Sequence, residues 1–180
     1  MSIRYIADTH LYDSYSWEWR VDFDDFDSYA NTLIEKWNYR VPADDTVILV
    51  GDIGTYCRRT LDVLGELRGK KVLVLGNHDI QWGDNVYTCG VFQGVYKSLM
   101  QNGLYVVHKP DEIPDNWQGY AIHGHHHTYN TLNMQQAFTQ YVQDTYRLNC
   151  AADLINNTPL TLNELIINKE RMILSRRNLQ

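Results

Sequence analysis

The sequence predicts a layered α/β fold, and two observations carry the prediction. Apolar runs of strand length alternate with stretches whose apolar residues recur at helical spacing, in the order strand, helix, strand, helix, strand. Most of these apolar runs also stop on an Asp, Asn or His. Polar, chemistry-bearing residues at strand ends are what the carboxyl edge of such a sheet presents.

The elements follow in order. Residues 3–8, IRYIAD, read as a short buried strand ending on a carboxylate. Phe26, Tyr29, Ala30, Leu33, Ile34 and Trp37 then recur at helical spacing, so one face of a helix packs on the core. The acidic run DFDDFD at its start is not an EF-hand loop. Such a loop needs Gly at its sixth position, where this run has Asp27. Capping and favourable charge at the helix N-terminus account for it. TVILVGD is a continuous apolar strand of the fully buried kind, ending at Gly51-Asp52. Residues 60–67 are helical in pattern, and KKVLVLGNHD is a second buried strand ending at Gly76-Asn77-His78-Asp79.

The stretch 80–94, with Gly83, Gly90 and Gly94, reads as loop. VYKSLMQNGLYVVH carries Asn102-Gly103 between two strand-like arms, a strong hairpin signal, and its second arm ends at His108. QGYAIHGH is a strand running into a histidine cluster. A further strand around 146–151 and a helix after Pro159 complete the chain. No repeat or linker divides it, so residues 1–180 read as one domain.

Composition bounds the function. The chain is 44% hydrophobic and 21% charged, ordinary for a globular protein. A formal net charge of −6 argues against a stable nucleic-acid-binding surface. It leaves a small anionic substrate open, because bound cations override the local field. Cys57, Cys89 and Cys150 are an odd, widely spaced set and read as free thiols of a reducing compartment. With no signal-peptide pattern and no apolar run of membrane-spanning length, the expected location is the cytoplasm, without membrane contact.

Asp8 with His10, Asp52, Asn77 with His78, His108, and His125 with His127 all fall at or just past predicted strand ends. All seven histidines lie in these segments. Asp8-x-His10 and His125-x-His127 are spaced by two, so on extended backbone each pair projects to one side and can chelate. Asp, His and Asn without thiolate suit Mn, Fe, Zn, Co or Ni. Asp8, His10, Asp52, Asn77, His108, His125 and His127 are too many for one tetrahedral ion. They are about right for two octahedral ions sharing a carboxylate, and two metals about 3.5–4 Å apart clamp an in-line phosphoryl displacement.

The ordered set DTH, VGD, GNHD, VVH and HGHHH resembles the calcineurin-like metallophosphoesterase superfamily. The likeness covers nearly the whole chain, and the stretches SYANTLIEKWNYRVPADDTVILVGD and LRGKKVLVLGNHD are similar to small bacterial and phage-type members. It implies a four-layer α-β-β-α sandwich with the metals between the carboxyl edges of its sheets. It also implies that Asp8, His10 and His127 hold one divalent metal, that Asn77, His108 and His125 hold a second, and that Asp52 bridges them. Manganese is the favoured ion. A hydroxide between the ions is the implied nucleophile. His78 would be general acid or donor to the developing phosphoryl charge, with Asp79 orienting it. Two departures stand out: the usual G-H-T-H is Gly124-His125-His126-His127, and some small relatives carry a further histidine where this chain has Leu11-Tyr12-Asp13.

Beyond the motifs, parity puts His123 on the ligand side, within reach of phosphate or a metal-bound water, and points His126 away. Lys109, directly after His108, and Arg20 are the basic residues best placed by sequence to meet phosphate. The aromatics of LYDSYSWEWR and IQWGDNVYTCGVF are expected to pack their loops rather than stack a nucleobase. The resulting reading is a metal-dependent hydrolase of a phosphate monoester or diester, acting on a small phosphorylated substrate or nucleotide. The alternatives are a nuclease or cyclic-nucleotide phosphodiesterase of the same chemistry, a non-catalytic scaffold on this fold, and a metal-storage protein. The complete ligand set with His78 argues against the last two.

Overall fold

Val47, Ile48, Leu49 and Val50 are all buried, which requires cover on both faces, and Thr46–Val50 (β2) accordingly lies inside the larger of two sheets. The computed structural model describes residues 1–18, 20–101, 103–127, 144 and 146–174, with the helical backbone of 175–177. Asn102 of the predicted turn and Trp19 of the aromatic cluster lie outside them.

The larger sheet has the order β4-β3-β2-β1-β9. Ile3–Ile6 (β1), β2, Lys70–Val74 (β3) and Gly94–Tyr96 (β4) run parallel, and Leu160–Thr161 (β9) is antiparallel on the edge of β1. The second sheet has the order β5-β6-β7-β8. Ser98–Gln101 (β5) and Leu104–Val107 (β6) form the predicted antiparallel pair, while Ala121–His123 (β7) and Arg147–Asn149 (β8) continue parallel to β6. The sheets are tied together where β1 and β8 run out: the Ala7 N–H donates to Cys150 O at 2.8 Å, and the Ala152 N–H to Ala7 O at 2.9 Å. This is the predicted α/β sandwich, with the carboxyl ends of β1, β2, β3, β6 and β7 bearing the motif residues.

Five α-helices are described: Ser14–Trp17 (α1), Phe26–Arg40 (α2), Arg58–Glu66 (α3), Asn85–Thr88 (α4) and Leu162–Arg177 (α5). The acidic run before α2 does what capping chemistry predicts. Asp25 accepts from Ser28 N at 2.7 Å while Ser28 Oγ accepts from Asp25 N at 3.1 Å, a reciprocal box. Tyr29, Ala30, Leu33 and Trp37 are the buried face of α2, and the Trp37 indole donates to Arg68 O at 2.9 Å. No helix among the described residues is long and apolar enough to cross a membrane.

Three features differ from the sequence expectation. The stretch 80–94 is not simply loop: a 3-10 turn, Asp79–Trp82, is followed by α4, and Gly94 begins β4. Trp82 is the cause, being fully buried with its indole donating to Gly54 O at 2.7 Å. The run expected to be one hairpin arm is shared between sheets, Gly94–Tyr96 in the first and Ser98–Gln101 in the second. Strand β9 is two residues long, too short to show a period.

The loop after β2 depends on Gly54. Its φ of +142° is disfavoured for side-chain-bearing residues, and a Cβ there would collide with the backbone of Leu11. Gly54→Ala is expected to cost about 2–3 kcal/mol, the sum of backbone strain and a contact that cannot relax cheaply. For a chain of this size that is a fall in Tm of about 5–10 °C, readable by differential scanning calorimetry.

Candidate metal centre

Two groups of side chains converge at the carboxyl edges. Ligand-capable atoms of Asp8, His10 and His127 lie within 4.8 Å of one another, and so do those of Asp52, His108 and His125. In the first group His127 Nε2 is 3.3 Å and His10 Nε2 3.8 Å from Asp8 Oδ1. In the second, His108 Nε2 is 3.2 Å from Asp52 Oδ2, and the same oxygen is 3.9 Å from His10 Nε2. Asp52 therefore stands between the groups.

The backbone makes this convergence by leaving extended geometry. Asp8, His10, Asp52 and His125 have φ of 58°, 42°, 53° and 70°, in the left-handed region that non-glycine residues seldom occupy. Each such residue costs about 1–3 kcal/mol, and such outliers concentrate at functional sites. The parity argument fails here for the same reason. His125 and His127 are not brought together as one pair; they fall in different groups.

The loops carrying these residues are fastened from below. Asp79 is 1% exposed, and its carboxylate accepts from Gly76 N (2.8 Å), Asp52 N (2.9 Å) and Ile53 N (2.9 Å). The expected orientation of His78 by Asp79 is thus corrected: three N–H donors occupy its two oxygens, and it joins the β2 and β3 loops instead. Gly76 permits the close approach, since a Cβ there would run into the Asp52 carboxylate. Asp8 Oδ2 accepts from His125 N at 2.9 Å, and Asp52 Oδ1 from His78 N at 2.8 Å.

On His108, His127 and His10 the second ring nitrogen also has a partner. His108 Nδ1 is 2.8 Å from Val50 O, His127 Nδ1 3.3 Å from Asp153 Oδ1, and His10 Nδ1 2.9 Å from Asp13 Oδ2. Partners of this kind fix tautomer and ring orientation in metal sites. Neither Asp13 nor Asp153 was singled out from the sequence. Asp13 carried a signal, lying three residues beyond His10 and before a Ser-rich helix start; Asp153 lies 26 residues from His127 and had none.

Other expected site residues sit elsewhere. Arg20 is corrected from phosphate contact to support: its Nη2 donates to Thr9 O (2.7 Å) and Asp8 O (3.3 Å), and its guanidinium lies 3.6 Å over the Tyr29 ring. His123 is likewise corrected. It is 1% exposed with Nδ1 2.8 Å from Gly124 O, and burial pushes its pKa down to about 3, so it is a neutral core residue. His126 joins neither group, and its carbonyl accepts from Asn149 Nδ2 at 2.6 Å. Lys109 is half-buried just past His108. The side chain of His78 is 37% exposed and its ring packs edge-on to that of His10, at 5.2 Å. Trp82 is core, while Trp17 packs on Phe26 at 4.3 Å.

The residues fit divalent cations on two counts. Asp8 Oδ1, Asn77 Oδ1 and His108 Nε2 are buried without a hydrogen-bond partner, a situation native interiors rarely leave uncompensated. The donor set is carboxylate, imidazole and amide oxygen, the mixture first-row divalent ions take.

Protons compete for these sites. Burial lowers the His108 and His127 pKa values, but it is outweighed: Asp52 and Asp8 raise His108 to about 9, and Asp8 and Asp153 raise His127 to about 10. The metal-free fold therefore holds protons that an unfolded chain releases near 6.5. Their stabilisation is complete below that pH and lost as pH rises through 9 to 10. His125 works the other way. Burial, aided by the charge of His108, pushes it down to about 4, so its contribution is lost as pH falls toward that value. A cation held by His108 and His127 would have to displace these protons. Affinity is expected to rise with pH up to that range, by at most about tenfold per unit for each proton displaced. Calorimetry in buffers of different ionisation enthalpy counts the released protons; an affinity flat in pH contradicts the assignment.

These features define a mixed α/β protein whose buried His and Asp groups can hold divalent metals. The chain belongs to the calcineurin-like phosphoesterase family, whose sequence profile matches residues 1–166. Its buried clusters fit the metal-dependent phosphoesterases of that family. In fold it is similar to the crystal structure of AQ665, a protein of unknown function from Aquifex aeolicus. The TM-score is 0.63 at 18% identity, over 91% of this chain and 96% of the other. No curated protein matches the sequence.

Proposed function

We propose that the protein hydrolyses a phosphate monoester or diester with two divalent cations, manganese foremost. Asp8, His10 and His127 would hold one, Asn77, His108 and His125 the other, and Asp52 both. The observation that carries this is the convergence of two buried ligand groups on Asp52, with three ligand-capable atoms left without hydrogen bonds. When bound, the cations supply Lewis acidity toward phosphoryl oxygens and water made acidic enough to attack near neutral pH.

The chain's own residues do the rest. Asp8, Asp52 and the imidazoles bind, while Asp79 holds the β2 and β3 loops at the separation the site needs. His78, the exposed member, carries a proton to the leaving oxygen or donates to the phosphoryl charge. Lys109 adds positive charge for the substrate's phosphate. The charge of −6 favours a small phosphorylated metabolite or nucleotide over a nucleic acid held through its backbone.

The test is hydrolysis of p-nitrophenyl phosphate beside bis-p-nitrophenyl phosphate, using metal-stripped protein reloaded with Mn²⁺, Ni²⁺ or Zn²⁺. Turnover that needs metal is expected, and the preferred ester separates phosphatase from phosphodiesterase. Two bound ions with no turnover on any ester would point instead to the non-catalytic scaffold.

A further inference from the structure

Besides the two ligand groups, one further trio of potential metal-binding side chains lies within 4.8 Å among the described residues: His10, Asp13 and His78. A third ion is a poor reading of it, because His10 already presents Nε2 toward Asp8 and Asp52, leaving only Nδ1 on this side. The geometry of Asp13 is more informative. Its Oδ2 lies 2.9 Å from His10 Nδ1 and 3.7 Å from His78 Nδ1, so one oxygen faces two imidazoles. Its Oδ1 accepts from Tyr15 N at 3.0 Å as the N-cap of α1, and its carbonyl accepts from Ser16 Oγ at 3.0 Å. The residue is 3% exposed. Both oxygens and the carbonyl are thus committed, and the carboxylate has little freedom to turn elsewhere.

We propose that Asp13 is a positioning residue that links the metal centre to the proton donor. By accepting from Nδ1 of His10 it leaves the Nε2 lone pair free for a cation. With the same oxygen it draws Nδ1–H of His78 inward and turns Nε2 outward, toward where a leaving oxygen would stand. The shorter contact is a formed hydrogen bond. The longer one is an ion-pair distance of the sort that tightens in a substrate complex. The role rests on the phosphoesterase reading for its chemistry, although its geometry does not. It replaces the Asp79–His78 pairing expected from the motif.

Asp13→Asn is the informative substitution. Asn caps a helix as well as Asp does, so α1 and the fold should persist, whereas the charge shared by the two rings is removed. Zinc-loaded protein, diamagnetic and labelled with ¹⁵N-histidine, reports ring tautomers by long-range ¹⁵N–¹H correlation at mildly alkaline pH. The wild type is expected to show His10 and His78 both as Nδ1–H. In Asp13→Asn, His78 should revert to the Nε2–H form of free imidazole. Chelator competition should show zinc held about 10–100-fold more weakly, the usual consequence of losing a partner behind a metal-binding histidine. An Nε2–H His78 in the wild type overturns the proposal, as do unchanged tautomers and zinc affinity in the variant. Neither readout needs turnover. A wild type inactive on every ester would therefore defeat the phosphoesterase reading alone.

Discussion

Asp52→Asn is expected to abolish metal-dependent ester hydrolysis and to empty both halves of the centre together. The substitution changes little else. Asp52 sits at φ 53°, a left-handed conformation that Asn tolerates as readily as Asp, so the turn after β2 survives. An Asn Oδ1 can still accept from His78 N, as the carboxylate does at 2.8 Å. What is lost is the second oxygen, 3.2 Å from His108 Nε2 and 3.9 Å from His10 Nε2, where an NH₂ group would now confront both metal positions. The negative charge goes as well. In the metal-free protein burial opposes that charge, yet His108 and the His78 N–H prevail and hold the Asp52 pKa near 2. On the proposed reading several kcal/mol of transition-state charge stabilisation would depend on the cations, so turnover should fall on the order of 10³-fold or more at ~1.4 kcal/mol per decade. Elemental analysis should show both ions depleted, not one. A variant that kept two tightly bound metals and full turnover would end the shared-bridge assignment.

The positions of the candidate ligands were legible because strand ends are legible. Buried parallel strands read as continuous apolar runs, and where Val50, Leu75 or Val107 gives way to Gly-Asp, Gly-Asn or His the chain has reached the sheet's edge. How the side chains are divided was not legible from spacing. His125 and His127 are two apart, and extended backbone would aim them together. The φ of 70° at His125 sends it to Asp52 and His108 instead. Left-handed backbone at Asp8 and His10 is equally silent in the sequence, since Asp and His carry no obligatory signature for it. The supporting residues were hidden for another reason. Asp79 and Arg20 belong to the local motif neighbourhoods but spend their polar atoms on backbone groups of other loops, and such pairings are tertiary facts. His123 has the parity of a ligand, yet it lies on β7 before the chain leaves the sheet, where a side chain meets core and not site.

His78→Ala should retain both metals and lose roughly 10²–10⁴ in kcat. The side chain belongs to neither the Asp8–His10–His127 nor the Asp52–His108–His125 group, and the bond from its backbone N–H to Asp52 survives truncation. Its ring is also partly exposed, so removing it opens no core cavity. The choice of ester then decides between its two possible roles. A p-nitrophenolate leaves without needing a proton, whereas an alkoxide does not. If His78 is the general acid, the alanine variant should lose far more on an alkyl phosphate than on p-nitrophenyl phosphate. If it donates to the phosphoryl oxygens, the charge it stabilises is the same for both esters and the two losses should match. Metal analysis makes the comparison meaningful. A His78→Ala protein stripped of its ions would place the residue among the ligands, and one that turned over both esters at the wild-type rate would remove it from the chemistry.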